Sequence, residues 1–345
     1  MAVDASWRCN SSGTDLGTAW RALGYADSTW AAWTPFTNAP IAGLFNTGVG
    51  ADRVALAAGT LDPHYVITAA AQGTVGAQAT VITNHSAWLA NDAASSWIGV
   101  LNPGTVNVQP GAYSYRTAFS LAGYLLSSVE LNTMVAADND VTNVFLNGVP
   151  TGITFTGFAA FSAPFKLTNG FSRATNALEY RALNEETSPN PHGFRALLSG
   201  TGVALNTNSL LSLGPATTYL RKTFLFSGDP AHTVLKFNPV IADGAIVYLN
   251  GTEVFRWNLP TGAVAFATLA LTTVAAPDYL GQMTIPATSL VAGTNILAVE
   301  VHQAAGSPDG PLFGADLIAT VVPVTLAALP PLAFNELSPA TNTLF

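Results

Sequence analysis

An all-β fold, built as two copies of a β-sandwich module with few or no long helices, is what this sequence predicts, and three observations predict it. Gly and Pro punctuate the chain roughly every 8 to 12 residues. Between them the apolar runs are short and rich in Val, Ile, Thr, Phe and Tyr, with no sustained helical spacing. Third, one framework occurs twice: Arg116, Phe119, Asp138 and Asn147-Gly148, then Arg221, Phe224, Asp243 and Asn250-Gly251, with 22 residues from arginine to aspartate in both copies.

The clearest strands, in order, are Tyr113 to Phe119, Val129 to Ala136, Asn143 to Asn147, Thr217 to Phe226, Thr233 to Ile241, Ala245 to Asn250 and Asn295 to His302. In the last, Leu297, Val299 and Val301 alternate with Ala298, Glu300 and His302, as a strand with two unlike faces requires. Each copy carries a strand that runs into Leu-Asn-Gly, the strongest short hairpin signal. Each copy then closes on an Asn-x-Leu strand, beginning at Asn176 and at Asn295.

The 345 residues suffice for two domains. Hydrophobic residues make up 49% of the chain and charged ones 9%, against about 25% charged in ordinary soluble domains, so Ser, Thr, Asn, Gly and small apolar side chains must cover most of the surface. Three lysines, nine arginines and a net charge of -8 leave no expected basic patch, which argues against nucleic acid as a partner. Apolar residues come in strand-length pieces, and no run of about 18 or more predicts membrane insertion. The single cysteine, Cys9, forms no intramolecular disulfide, and residues 1 to 20 lack the basic and apolar regions of a signal peptide.

Residues 217 to 303, with TTYLRKTF, ADGAIVYLNGTEVFRWNLPTG and LVAGTNILAVEVHQ, resemble the galactose-binding-like jelly-roll module of large secreted bacterial proteins. Residues 43 to 202, with DPHY, WLAND, YSYRTAF, AADNDVTNVFLNGVPTG and GFRALLSGTG, resemble a sister module. The resemblance implies fold and an extracellular or cell-surface location more than chemistry. GTDLGTAWRALGYADSTW (13 to 30) resembles the opener that normally precedes the TTYLRKTF strand, although about 170 residues intervene here. The first module is therefore expected to be inserted into the second: opener 1–36, first module 37–204, second module 205–322. PPLAFNELSPATN resembles the first strand of a lamin-tail domain within 323–345, so the chain reads as a piece of a longer protein.

Asp138 and Asp140 form the richest oxygen cluster, readable as ligands of a structural calcium ion or as turn carboxylates accepting backbone N–H groups. Arg116 and Arg221 lie on otherwise apolar strands and are expected to pair with Asp138 and Asp243 as internal struts. Trp88, Trp97 and Trp257 stand in polar, loop-like contexts and could stack on sugar rings, whereas Trp20 and Trp30 belong to the opener motif and are expected in a core. Asp62 and His64 of DPHY are the remaining binding candidates, with a structural role as the alternative. No nucleophile elbow, phosphate loop, dinucleotide fingerprint or HExxH occurs. The functional expectation is a non-catalytic binding or adhesion segment for polysaccharide or another surface polymer. The alternatives are a self-associating subunit of a fibre, sheath or surface layer, joined through sandwich edges, and an accessory module of a secreted hydrolase.

Overall fold

The computed structural model describes residues 1–207, 211 and 214–322. The expected strand in 323–345 lies outside the described residues. The described chain is all-β, its helical content confined to single 3-10 turns such as Ala19–Arg21 and Leu126–Ser128.

In the second sandwich one sheet has six strands in the order Thr252–Trp257, Gly244–Leu249, Gly293–His302, Thr217–Phe226, Trp7–Asn10 and Ala31–Trp33. The facing sheet has Met283–Ile285, Thr233–Ala242 and Leu312–Val321. The opener's strand is thus a working member of this sandwich: Arg8 lies opposite Arg221, Cys9 opposite Leu220 and Asn10 opposite Tyr219. In the first sandwich the strand Glu130–Leu146 pairs along its first half with Gly193–Leu205 and along its second half with Thr175–Asn184. Pairing then runs through Gly111–Ser120, Leu61–Ala69, Gln78–Val81 and Ile98–Gly99 back to Gly193–Leu205, which joins the two layers into one ring. The two separate strands expected at Val129 to Ala136 and Asn143 to Asn147 are therefore one 17-residue strand that changes layers without ending.

The repeated aspartate marks that change. Asp243 sits between Thr233–Ala242 and Gly244–Leu249 with φ +65°, and Asp138 occupies the matching bend of Glu130–Leu146. Strands that switch sheets at such corners are how a sandwich closes its ends. Two hydrophobic cores result. One gathers Tyr65, Tyr115, Leu131, Val144, Tyr180 and Phe194. The other gathers Trp7, Leu220, Phe237, Val247, Val299 and Phe313, and also takes Phe36 and Leu125 from segments adjoining the first sandwich.

The Asn-Gly dipeptides make the predicted tight turns, with φ +52° and +79° at Asn147-Gly148 and +50° and +86° at Asn250-Gly251. They do more than turn the chain. Asn147 Nδ2 donates to Asn176 Oδ1 at 2.9 Å, and Asn250 Nδ2 to Asn295 Oδ1 at 2.7 Å. The same side chains accept from Ala177 N and Ile296 N, while Asn176 and Asn295, both fully buried, exchange hydrogen bonds with Ser172 and Val291. Each copy therefore welds its hairpin to its last strand through an asparagine pair.

Substituting Asn250 by Gly keeps a residue suited to positive φ but deletes the weld, so N250G should lower stability by about 2 kcal/mol, the cost of leaving buried groups unpaired. N250A should cost more, since it adds backbone strain; chemical denaturation of both variants checks the order. Cys9 offers a second test. Burial pushes its thiol up to about 12, so a thiol reagent should label it no faster than the second sandwich unfolds, whereas rapid labelling would show an opener that detaches alone.

Candidate ligand cleft

Most of the residues singled out from sequence turn out to hold the corners and loops together. At the first corner Trp88 Nε1 donates to Asp138 Oδ2 at 2.8 Å and Trp97 Nε1 to Leu89 O at 2.6 Å, the two rings being 4.7 Å apart. Trp88 is 5% exposed and Trp97 fully buried, so neither can offer a face to a sugar. They plug the corner instead, pressed on the backbone of Gly193, where a Cβ would come within 2.7 Å of the Trp88 ring. WLAND reads as loop-like and polar in sequence, yet it folds inward because Arg195 pulls it there. That fully buried arginine bonds Ser95 Oγ, Ser95 O and Ala90 O and pairs with Asp92 at 2.9 Å.

Asp138 thus gives one oxygen to an indole. Burial pushes its carboxyl up, and the Trp88 hydrogen bond offsets part of that rise. Asp140 stands beside Glu185, whose own carboxyl is pushed up by hydrogen bonding and charge from Asp140. Among the described residues no group of three or more His, Cys, Asp or Glu side chains gathers as a metal site.

The expected arginine struts are also redrawn. Arg221 pairs with Asp27 of the opener at 2.7 Å and donates to the carbonyls of Trp20, Ala22 and Tyr25, while Arg116 is exposed. An irregular loop has no ladder partners, and the five donors of one guanidinium can satisfy several of its carbonyls at once. Asp243 instead accepts from Val274 N and Ala304 N, each at 2.9 Å.

In DPHY, Asp62 is fully buried and accepts from Gly48 N and His64 N at 2.7 and 2.8 Å. Desolvation raises its pKa although those bonds pull the other way. His64 stacks on Phe45 with centroids 3.6 Å apart, and the Arg53 guanidinium lies 4.8 Å from the same Phe45 ring. The motif therefore fixes the loop from Phe45 to Tyr65 rather than presenting a carboxylate to a ligand. Glu300 and His302, which share a strand face, are likewise sealed. Tyr248 donates to Glu300 at 2.5 Å, and Arg21 and His302 lie 3.5 and 3.8 Å from the same carboxylate. Trp20 and Trp30 lie in the aromatic cluster that roofs this network, as expected.

The second corner is different. Trp257 is 40% exposed at the end of its strand. Its neighbour Asn258 donates to Asp243 O, and Asp243 in turn fixes Val274. From Val274 the wall of a cleft of about 680 Å³ begins, running between the two sandwiches. Tyr124, Leu125 and Leu205 form one side, and Ala275, Pro277, Pro311 and Leu312 the other. Arg173 and Asp309 are the charged side chains in the lining. Arg173 bridges the sandwiches, donating to Ala276 O and Pro277 O at 3.1 and 2.9 Å and pairing with Asp278. Asp278 receives Leu126 N and Ser127 Oγ at 3.0 Å from the first sandwich. Arg173, Ala276 and Pro277 of this latch line the cleft. Sequence reasoning reached Trp257 but not the cleft, because its walls are apolar residues drawn from loops and strand ends far apart in the chain.

No family model matches this chain, and no curated protein matches it. Among solved structures, similarity is found to a Pleurotus ostreatus lectin (17% identity, 63% of this chain, 77% of that one, TM-score 0.24). It is also found to a Streptomyces avermitilis α-L-rhamnosidase (16%, 66% and 26%, TM-score 0.22) and a Bacteroides uniformis β-glucuronidase (13%, 93% and 32%, TM-score 0.23). At these TM-scores the likeness is too slight to transfer a binding site from any of the three to this chain.

His192 supplies a pH-dependent prediction. Burial lowers its pKa from 6.5 to about 4, opposed by its 2.5 Å contact with Asp138 O. Protons therefore favour the unfolded chain. The contribution is whole above about pH 6.5 and is lost as pH falls toward 4, by roughly 3 kcal/mol. Melting curves between pH 7 and 4 should show that slope, and H192F should flatten it.

Proposed function

We propose that this chain is a non-catalytic, extracellular binding segment, built of two sandwiches with the first inserted between the opener and the rest of the second. It takes a weakly charged polymer, polysaccharide being the favoured class, in the cleft at their junction. The cleft is the observation that carries the reading: a hollow of about 680 Å³ lined mainly by apolar residues, whose wall residue Val274 is tied through Asp243 to Asn258, the residue after the exposed Trp257. Its lining brings together one cation and one carboxylate and no histidine. Glu300 and His302, an acid and a base on one strand face, are buried elsewhere under the opener. A low-charge surface and the resemblance to secreted jelly-roll modules support an extracellular polymer as the ligand.

Pull-down on insoluble polysaccharides and a glycan array test this. The folded wild-type chain should bind at least one polysaccharide. Ala275→Trp, an exposed lining position, should weaken that binding at least tenfold without moving the melting temperature. Failure of the folded chain to bind any glycan would overturn the reading.

A self-associating role has one observation in its favour. Leu225 is 81% exposed and Ile318 50%, beside an open apolar groove that Phe224, Leu235 and Ala319 help to line. Light scattering at high concentration separates the two: a strict monomer removes this second reading.

A further inference from the structure

One surface hollow has a charge that the rest of the chain does not prepare for. On the six-stranded sheet of the second sandwich, Arg8 lies directly opposite Arg221 across two neighbouring strands, and both line a hollow of about 470 Å³ together with Lys222, Ser6, Thr223 and Asp27. Like charges in register across a strand pair disfavour the sheet, and Asp27 is the one carboxylate in the lining. Three cations against one carboxylate leave two positive charges here, on a chain whose net charge is -8. The opener's return to the sheet brings Arg8 and Arg221 side by side from distant parts of the chain.

The demands of folding do not use up this charge. Asp27 is held by Arg221, whose other donors go to opener carbonyls. Arg8 is exposed and spends one donor on Trp30 O at 3.2 Å. The remaining edge of its guanidinium can meet an oxyanion with two parallel hydrogen bonds. Ser6 and Thr223, both exposed, add hydroxyls of the kind that suit a sugar ring. A densely charged polyanion would be repelled by the rest of the molecule, whereas an isolated carboxylate on an otherwise neutral sugar would not.

We propose that this hollow is an oxyanion subsite for acidic sugars, with Arg8 grasping the carboxylate of a uronic acid residue and Thr223 lying against its ring. It is independent of the junction cleft. The test is a nitrogen-15 chemical-shift titration of the full chain with sodium glucuronate, and with glucose and a single-stranded DNA oligonucleotide as comparisons. Glucuronate should shift the Arg8 side-chain and Thr223 amide signals saturably, inorganic sulfate should compete, and glucose should do neither. R8Q should weaken glucuronate binding at least tenfold, and T223E, which adds a repelling carboxylate, should abolish it, both with unchanged melting temperature and Cys9 labelling. Ala275→Trp should leave it unaffected, so that failure of the cleft reading and failure of this one are distinguishable. Equal affinity in R8Q, indifference to sulfate, equal response to glucose, or tighter binding of DNA would each overturn the assignment.

Discussion

A strand that leaves one layer of a sandwich for the other must abandon its ladder partners at the bend, and the rest of this structure depends on how those backbone groups are satisfied. In the second copy one aspartate does it: Asp243 receives Val274 N and Ala304 N, and its carbonyl receives Asn258. Three loops are thereby tied to a single corner. In the first copy the matching aspartate is bonded to Trp88 through its side chain and to His192 through its carbonyl. That corner is filled with aromatic rings. The second corner is tied by two backbone N–H groups and an asparagine side chain, and Val274, one of the residues so held, lines the cleft.

The second device is the arginine that takes the place of a missing ladder. Arg195 holds the WLAND loop, Arg221 the opener, Arg256 the turn at Pro260 and Gly262, and Arg173 the junction between the sandwiches. Arg195 and Arg221 are fully buried; a buried guanidinium is costly unless nearly all its donors are met, and here carbonyls of irregular backbone meet most of them. This explains how a chain with 9% charged residues can still have arginines at its structural joints. It leaves Arg8, exposed beside Arg221, as a charge that folding does not consume.

The asparagine welds show how a repeat in sequence can be read correctly and yet incompletely. Asn147 and Asn250 announce hairpins because Asn-Gly accepts positive φ, a local property that needs no partner. Their bonds to Asn176 and Asn295, 29 and 45 residues further on, depend on the last strand of each copy lying against the hairpin. The same limit applies to the tryptophans. A polar neighbourhood in sequence made Trp88 and Trp97 look exposed, but the pull of Arg195, 100 residues away from Ser95, decides that they are not.

The sequence by itself determined most of the strands, the Asn-Gly turns and the repeated spacing of Arg, Phe, Asp and Asn-Gly, because these rest on periodicity, on spacing and on the intrinsic conformational preferences of single residues, whereas the place of the opener was read from its resemblance to a known module. The tertiary structure alone decided which aspartate faces which arginine, which tryptophan is a plug and which is exposed, and that two cations meet across a strand pair. Those outcomes are set by contacts between residues tens to hundreds of positions apart, whose energies depend on burial and on the geometry of closure, and a linear sequence carries no record of either.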